Sequence, residues 1–170
     1  MNLWSSKKLW QATKEMILGL MVKDKVGKKA LSKLIKEIIA LANTTGGYLV
    51  LGIEEKGKVR PRANKINPIP RIKALSEKLK LQIRDYVEPT INNIRFKEVE
   101  TEDEKGVLII RVEKSNLAPH RSLIDKECYI RRNDRSEKMT MREIKDLTIL
   151  RIRSQQEIEN EFKNERRTLS

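Results

Sequence analysis

A chain of 170 residues with 37 Lys and Arg against 24 Asp and Glu carries +13 at pH 7, and its length suits one compact domain. Leu, Ile, Val and Phe number 47, enough for an aliphatic core, whereas aromatic residues make up only 4%. The single cysteine, Cys128, excludes an internal disulfide framework and a cysteine-based zinc cage. No apolar run reaches the ~18 residues of a membrane span, and the basic N-terminus lacks the apolar stretch and cleavage site of a secretion signal. A soluble cytoplasmic protein with no membrane partner is expected.

Residues 3–14 fit a short helix, and Met16 to Val22 fits either a buried strand or a continuation of it. Leu31, Leu34, Ile35, Ile38, Leu41 and Ala42 then fall at helical spacing, with Lys29, Lys33 and Lys36 on the opposite face. Asn43 and Gly46-Gly47 end that helix, since both residue types accept the left-handed conformation of a helix C-terminus. Tyr48 to Ile53 reads as a strand covered on both sides, and Glu54-Glu55-Lys56-Gly57-Lys58 as a turn into a short basic strand or loop through Arg62. A second amphipathic helix is expected from about Arg71 to Val87, burying Ile72, Leu75, Leu79, Ile83 and Tyr86, with Pro89 closing it.

Strands near 91–100 and 107–113 flank an acidic turn from Thr101 to Gly106, forming a hairpin with a longer loop. Residues 127–132 suggest another strand, with Cys128 and Ile130 on one face and Tyr129 and Arg131 on the other. Thr140 and Glu143 make a capping box for a final helix with Ile144, Leu147, Ile158 and Phe162 as apolar positions and a polar end that frays. The fold class read from this order is α+β: a single domain over residues 1–150, a mixed or antiparallel sheet flanked by helices, then a polar helical extension over 151–170.

The basic excess is uneven. Residues 1–40 and 54–80 each hold 9 basic and 3 acidic side chains, residues 111–153 hold 12 and 7, and residues 81–110 reverse to 4 and 7. A solvated lysine-rich surface of thermophilic type is one reading, but such surfaces usually balance their charges. A charge of +13 on so small a domain instead attracts polyanions, which makes nucleic acid the expected partner.

No Walker A sequence or G-x-G-x-x-G loop occurs. His120 is the only histidine, so a two-histidine metal centre is impossible, and a lone general base or a structural role remain for it. Cys128 alternates with Ile130 on an apolar face and reads as packing. Arg131, Arg132 and Arg135 cluster, with Arg121 nearby, and the arginine fork suits phosphate oxygens. Tyr129, on the Arg131 face, offers a ring for stacking on a base. The alternative is that Arg132 and Arg135 pair with Asp134, Glu137 or Asp146.

The run from Leu34 through Ala42-Asn43, Gly46-Gly47 and the apolar strand to Gly52-Ile53-Glu54-Glu55 resembles the signature of Schlafen AlbA-like domains. Pro119-His120-Arg121, Tyr129-Ile130-Arg131-Arg132 and Met139 to Ile144 resemble the closing pattern of that family, in the right order. The resemblance spans roughly residues 16–148. It implies a mixed sheet with flanking helices, binding of DNA or structured RNA, a role extending to transcriptional regulation, and self-pairing into a homodimeric clamp.

RNA-cleaving relatives hold Mg²⁺ or Mn²⁺ with a carboxylate cluster, which the resemblance would map onto Glu54 and Glu55, with Glu15 as the only upstream acid. Met21-Val22-Lys23 stands where that family shows Glu-Phe-Lys, so the ligand set is incomplete, while Lys23 matches the lysine and could meet a phosphate. The expectation is therefore a nucleic-acid-binding domain needing no cofactor, with Lys23, Arg121, Tyr129, Arg131, Arg132 and Arg135 as contacts. Two alternatives stay open: a divalent-metal endoribonuclease using Glu15, Glu54 and Glu55, and a protein-interaction module whose last helix docks a partner.

Overall fold

The computed structural model describes residues 9–11, 25–56, 62–101, 103–133 and 135–168. Glu15, Lys23 and the expected elements over 3–8 and 12–22 lie outside them. Three helices and ten strands are present among the described residues.

Helix α1 (Lys25–Ala42) is built by its apolar spacing: Leu34, Ile35, Ile38, Ile39 and Leu41 are all fully buried. Each such side chain removed from water stabilises the fold by about 1.5–3 kcal/mol. The helix ends where Gly46, at φ 72°, turns its N–H back to the Leu41 carbonyl at 2.8 Å. A Cβ at Gly46 would stand 2.6 Å from the Val112 carbonyl oxygen, so only glycine fits between helix and sheet.

The chain then enters β2 (Gly47–Leu51), a central strand of a four-stranded mixed sheet. Strand β1 (Leu9–Gln11) runs parallel to β2, and β7 (Gly106–Val112) and β6 (Ile94–Glu100) add antiparallel on its other side, giving the order β1-β2-β7-β6. The strand expected to run unbroken through Ile53 is interrupted at Gly52, whose φ of 101° turns the chain out of the sheet. Glu54 and Glu55, expected in a turn, instead belong to strand β3 (Ile53–Lys56), paired antiparallel with β4 (Arg62–Ile66) as a separate two-stranded ribbon.

Helix α2 (Ile72–Tyr86) buries Ile72, Leu75, Leu79 and Ile83 as expected. Tyr86, expected in the same stripe, is instead exposed at the last helical residue, where Val87 has already turned to extended backbone. Helices α1 and α2 contribute to one core with Leu49, Leu51, Leu108, Ile110 and Val112, so both pack on the same face of the sheet.

Two short ladders complete the domain: β5 (Val87–Glu88) with β8 (Arg121–Ser122), and β9 (Tyr129–Arg132) with β10 (Arg135–Lys138). Helix α3 (Met141–Thr168) opens on the expected capping box: the Glu143 N–H donates to Thr140 Oγ1, and the Thr140 N–H donates to Glu143 Oε2 at 2.8 Å. It remains helical through Thr168 instead of fraying. Ile158 and Phe162, expected as apolar contacts, are exposed, as is every residue from Ile152 to Asn164 whose side chain is described.

Candidate nucleic-acid interface

Asn43 is the knot of the structure. It is buried at the end of α1, and its side chain reaches residues 77 and 86 positions away. Oδ1 accepts the His120 N–H at 2.8 Å, while Nδ2 donates to the His120 carbonyl at 3.0 Å and the Tyr129 carbonyl at 2.9 Å. One amide thus holds the 118–122 loop and the start of β9 against the helix. Asn43 does stand just past the last helical residue, but the left-handed backbone expected there falls on Gly46 instead, and nothing local in the sequence announces the long-range tie.

The β9–β10 hairpin is fastened a second time. Arg131 Nη1 donates to Glu37 Oε2 at 2.5 Å, and Ser136 Oγ donates to the same oxygen at 2.7 Å. Side-chain exposure is 8% for Arg131 and 13% for Glu37, so this pair is largely withdrawn from water. The Arg131 N–H donates to Thr44 Oγ1 at 2.9 Å, and that hydroxyl donates to Ala40 O.

Tyr129 is buried in the core cluster, its hydroxyl donating to Asp125 and Lys36 Nζ lying 5.3 Å from its ring centre. Burial, and next the Asp125 hydrogen bond, push its phenol up. The expectation that Tyr129 and Arg131 present a ring and a fork to nucleic acid is therefore corrected: β9 turns both into the α1 contact, where apolar area and a buried carboxylate claim them.

The other expected contacts sit at the surface with different partners. Arg132 pairs with Glu137 at 2.5 Å and with Glu143, tying the hairpin to the first turn of α3. Arg121 donates through Nε and Nη2 to Glu88 Oε2 at 3.0 and 2.8 Å, linking β8 to β5. Arg135 is exposed and has no ion pair among the described residues. The same holds for Lys29 and Lys33, which lie two turns and one turn before Glu37 on α1. These two lysines were seen from the sequence only as a polar helix face.

His120 is fully buried; its Nδ1–H donates to the Pro89 carbonyl at 2.6 Å, and its Nε2 has no hydrogen-bond partner among the described residues. Burial holds the ring below the ordinary histidine range, with the Arg151 charge adding to the effect. Cys128 is half-buried and its thiol is pushed up by burial, which keeps it protonated near neutrality. Neither arrangement presents a nucleophile or base to a ligand. A hollow of about 240 Å³ at the start of α2 mixes Arg71 and Lys73 with Glu100 and Glu104, and Lys73 is paired to Glu100 at 2.7 Å, so it offers an anion no uncompensated charge.

A model of the family described as Schlafen, AlbA_2 matches residues 20–140, more than half the chain. The chain belongs to the Schlafen AlbA_2 family. No curated protein matches it. Among solved structures it is similar to the DIP2311 protein of Corynebacterium diphtheriae, at 22% identity over 65% of this chain and 18% of that one, with a TM-score of 0.44. It is also similar to the N-terminal domain of a RecG-related protein from Nitrosomonas europaea, at 16% identity over 59% of this chain and 71% of that one, with a TM-score of 0.42. The chain therefore spans less than a fifth of the first of these.

Within this Schlafen AlbA_2 domain the Asn43 knot joins the two blocks that carry the family resemblance, the helix-glycine-strand block and the closing block. The carboxylates are less well supported. Glu54 and Glu55 are successive residues of β3, opposite Lys65 and Ala63, with a register shift between them. Among the described residues no group of three His, Cys, Asp or Glu could hold a metal ion, and Glu15 lies outside them. Among the described residues no helix is long and apolar enough to cross a membrane.

Proposed function

We propose that this domain binds nucleic acid through the phosphate backbone, on the surface formed by the first half of α1 and the β9–β10 hairpin. Membership of the Schlafen AlbA_2 family supports a nucleic-acid-related function. The observation that carries the reading is that exposed Lys29 and Lys33 stand on the helix whose Glu37 fastens the hairpin bearing exposed Arg135, and that none of the three has a carboxylate partner among the described residues. Arg132, already shared between two glutamates, lies at the edge of this surface, and Arg131 positions the hairpin from beneath. Cations without partners release counterions from a polyanion, whereas paired ones must first break their ion pairs. Phosphate contacts dominate, so discrimination among sequences is modest, and duplex DNA and structured RNA are both ligands on this reading.

Filter binding to a duplex DNA and to a folded RNA at two salt concentrations tests it. The expected log-log slope is about −0.9 per phosphate contact on DNA, and K29A/K33A/R135A flattens it by about 2–3. Absent or salt-insensitive binding to both ligands would end the proposal. The same reading includes self-pairing of the domain; light scattering that returns the mass of one chain removes that part.

A further inference from the structure

The four-stranded sheet has a second face that the core does not use. Alternation along the strands sends Leu49, Leu51, Leu108 and Ile110 toward α1 and α2, and sends their neighbours the other way. Those neighbours include Tyr48 and Val50 on β2, Ile109 and Arg111 on β7, and Arg95 and Lys97 on β6. None of the six belongs to the core cluster.

The register sets them in two adjacent rows. Tyr48 is opposite Arg111, which is opposite Arg95; Val50 is opposite Ile109, which is opposite Lys97. Opposite residues on one face bring their Cβ atoms to about 4.5–5.5 Å, so each row is a continuous contact surface. Tyr48 and Ile109 are half-buried and Val50 is buried, forming an aromatic and aliphatic shelf, while the three cations are exposed at its border.

Their charges are only partly compensated. Among the described residues a single carboxylate, Glu113 just past β7, stands 3.3 Å from Arg111 Nη2 and 3.9 Å from Arg95 Nη2. Lys97 has no ion pair among the described residues. Among the described residues, three cations against one anion, around one tyrosine, leave the face positive by two charges. A base-paired duplex could use the charge but not the ring, because its bases are stacked inside. Unstacked bases with their phosphates use both.

We infer that this sheet face is a binding platform for single-stranded nucleic acid, with a base stacked on Tyr48 and phosphates held by Arg111, Arg95 and Lys97. The inference rests on the reading that the domain binds nucleic acid, and adds a second surface with a different ligand form.

Fluorescence anisotropy with the full chain tests it, using a labelled 12-nucleotide single strand and a hairpin duplex of the same composition. Stacking of one base predicts that Y48A weakens single-strand binding by about 5- to 150-fold while duplex affinity stays within about twofold. Y48F retains the ring and the affinity. K29A/K33A shows the opposite pattern, losing duplex affinity and keeping the single strand. If Y48A unfolds, R95A/R111A replaces it, with the single-strand salt slope expected to drop by about 1 or more. Y48A binding the single strand as tightly as the native chain, or weakening both ligands equally, overturns the platform. Native binding to the duplex alone also overturns it and leaves the proposed function standing, whereas binding to neither ligand removes both.

Discussion

Replacing Asn43 by Ala separates its two structural roles. Were it only a helix-ending residue, its loss would cost about 1 kcal/mol or less, as for an exposed cap. The structure gives it three hydrogen bonds to backbone groups, at 2.8, 2.9 and 3.0 Å, from a side chain that is 3% exposed. Each such bond contributes about 0.5–1.5 kcal/mol net, and truncation strands the His120 N–H and C=O and the Tyr129 C=O in a buried place. The expected loss is about 3–5 kcal/mol, which lowers the melting temperature of a domain this size by roughly 10 °C. Asn43→Asp is the sharper variant. It keeps the acceptor for the His120 N–H but sets a carboxylate oxygen against two carbonyls, so it destabilises at least as much as Ala. Urea unfolding followed by circular dichroism reads both variants. A loss under about 1 kcal/mol in each would refute the account of Asn43 as a long-range tie.

Other consequences are open to measurement. Arg131→Met leaves Glu37 uncompensated beside the hairpin and should cost about 3–5 kcal/mol in denaturant unfolding, while E37Q/R131M recovers much of the loss. Gly46→Ala places a Cβ against backbone at φ 72°, and calorimetry should show a clear drop in melting temperature; an unchanged melting temperature would mean the loop relaxes at little cost. His120 titrates lower in the folded state than its ordinary 6.5, so the unfolded chain binds the extra proton. Stability held above pH 6.5 therefore declines as the pH falls below it and levels off below the folded value. His120→Gln should flatten that limb in a pH series of thermal melts. Asp125 and Glu143, both held low by hydrogen bonds, produce their loss only further down, from ordinary values of 3.8 and 4.5.

Much of this arrangement was legible before the structure, and the boundary has physical causes. Helical periodicity found the buried faces of α1 and α2 because a 3.6-residue stripe is written locally. The capping box at Thr140 and Glu143 was found for the same reason. The interruption at Gly52 escaped because an apolar run through Ile53 looks continuous in one dimension, and only the positive φ shows the chain leaving the sheet. Arg131 and Tyr129 were read as surface groups because alternation along β9 says which residues share a face but not which face is covered. The partner of Arg131, Glu37, is 94 residues upstream, and no local pattern carries that pairing. Tyr48, Arg95 and Arg111 were hidden likewise, since three separate strands bring them into one row.

Three arginines of the closing block and two lysines of α1 differ in what they hold. Arg121, Arg131 and Arg132 each grip a carboxylate within the domain, whereas Lys29 and Lys33 grip none among the described residues. Here the three guanidinium groups act as fasteners, while the two ammonium groups share the outward field with exposed Arg135. Acylating agents attack amines and spare guanidinium groups. Lysine acetylation would then strip charge from the exposed helix face while leaving these three arginine fasteners intact, so affinity for a polyanion can be lowered by chemistry that leaves the architecture in place.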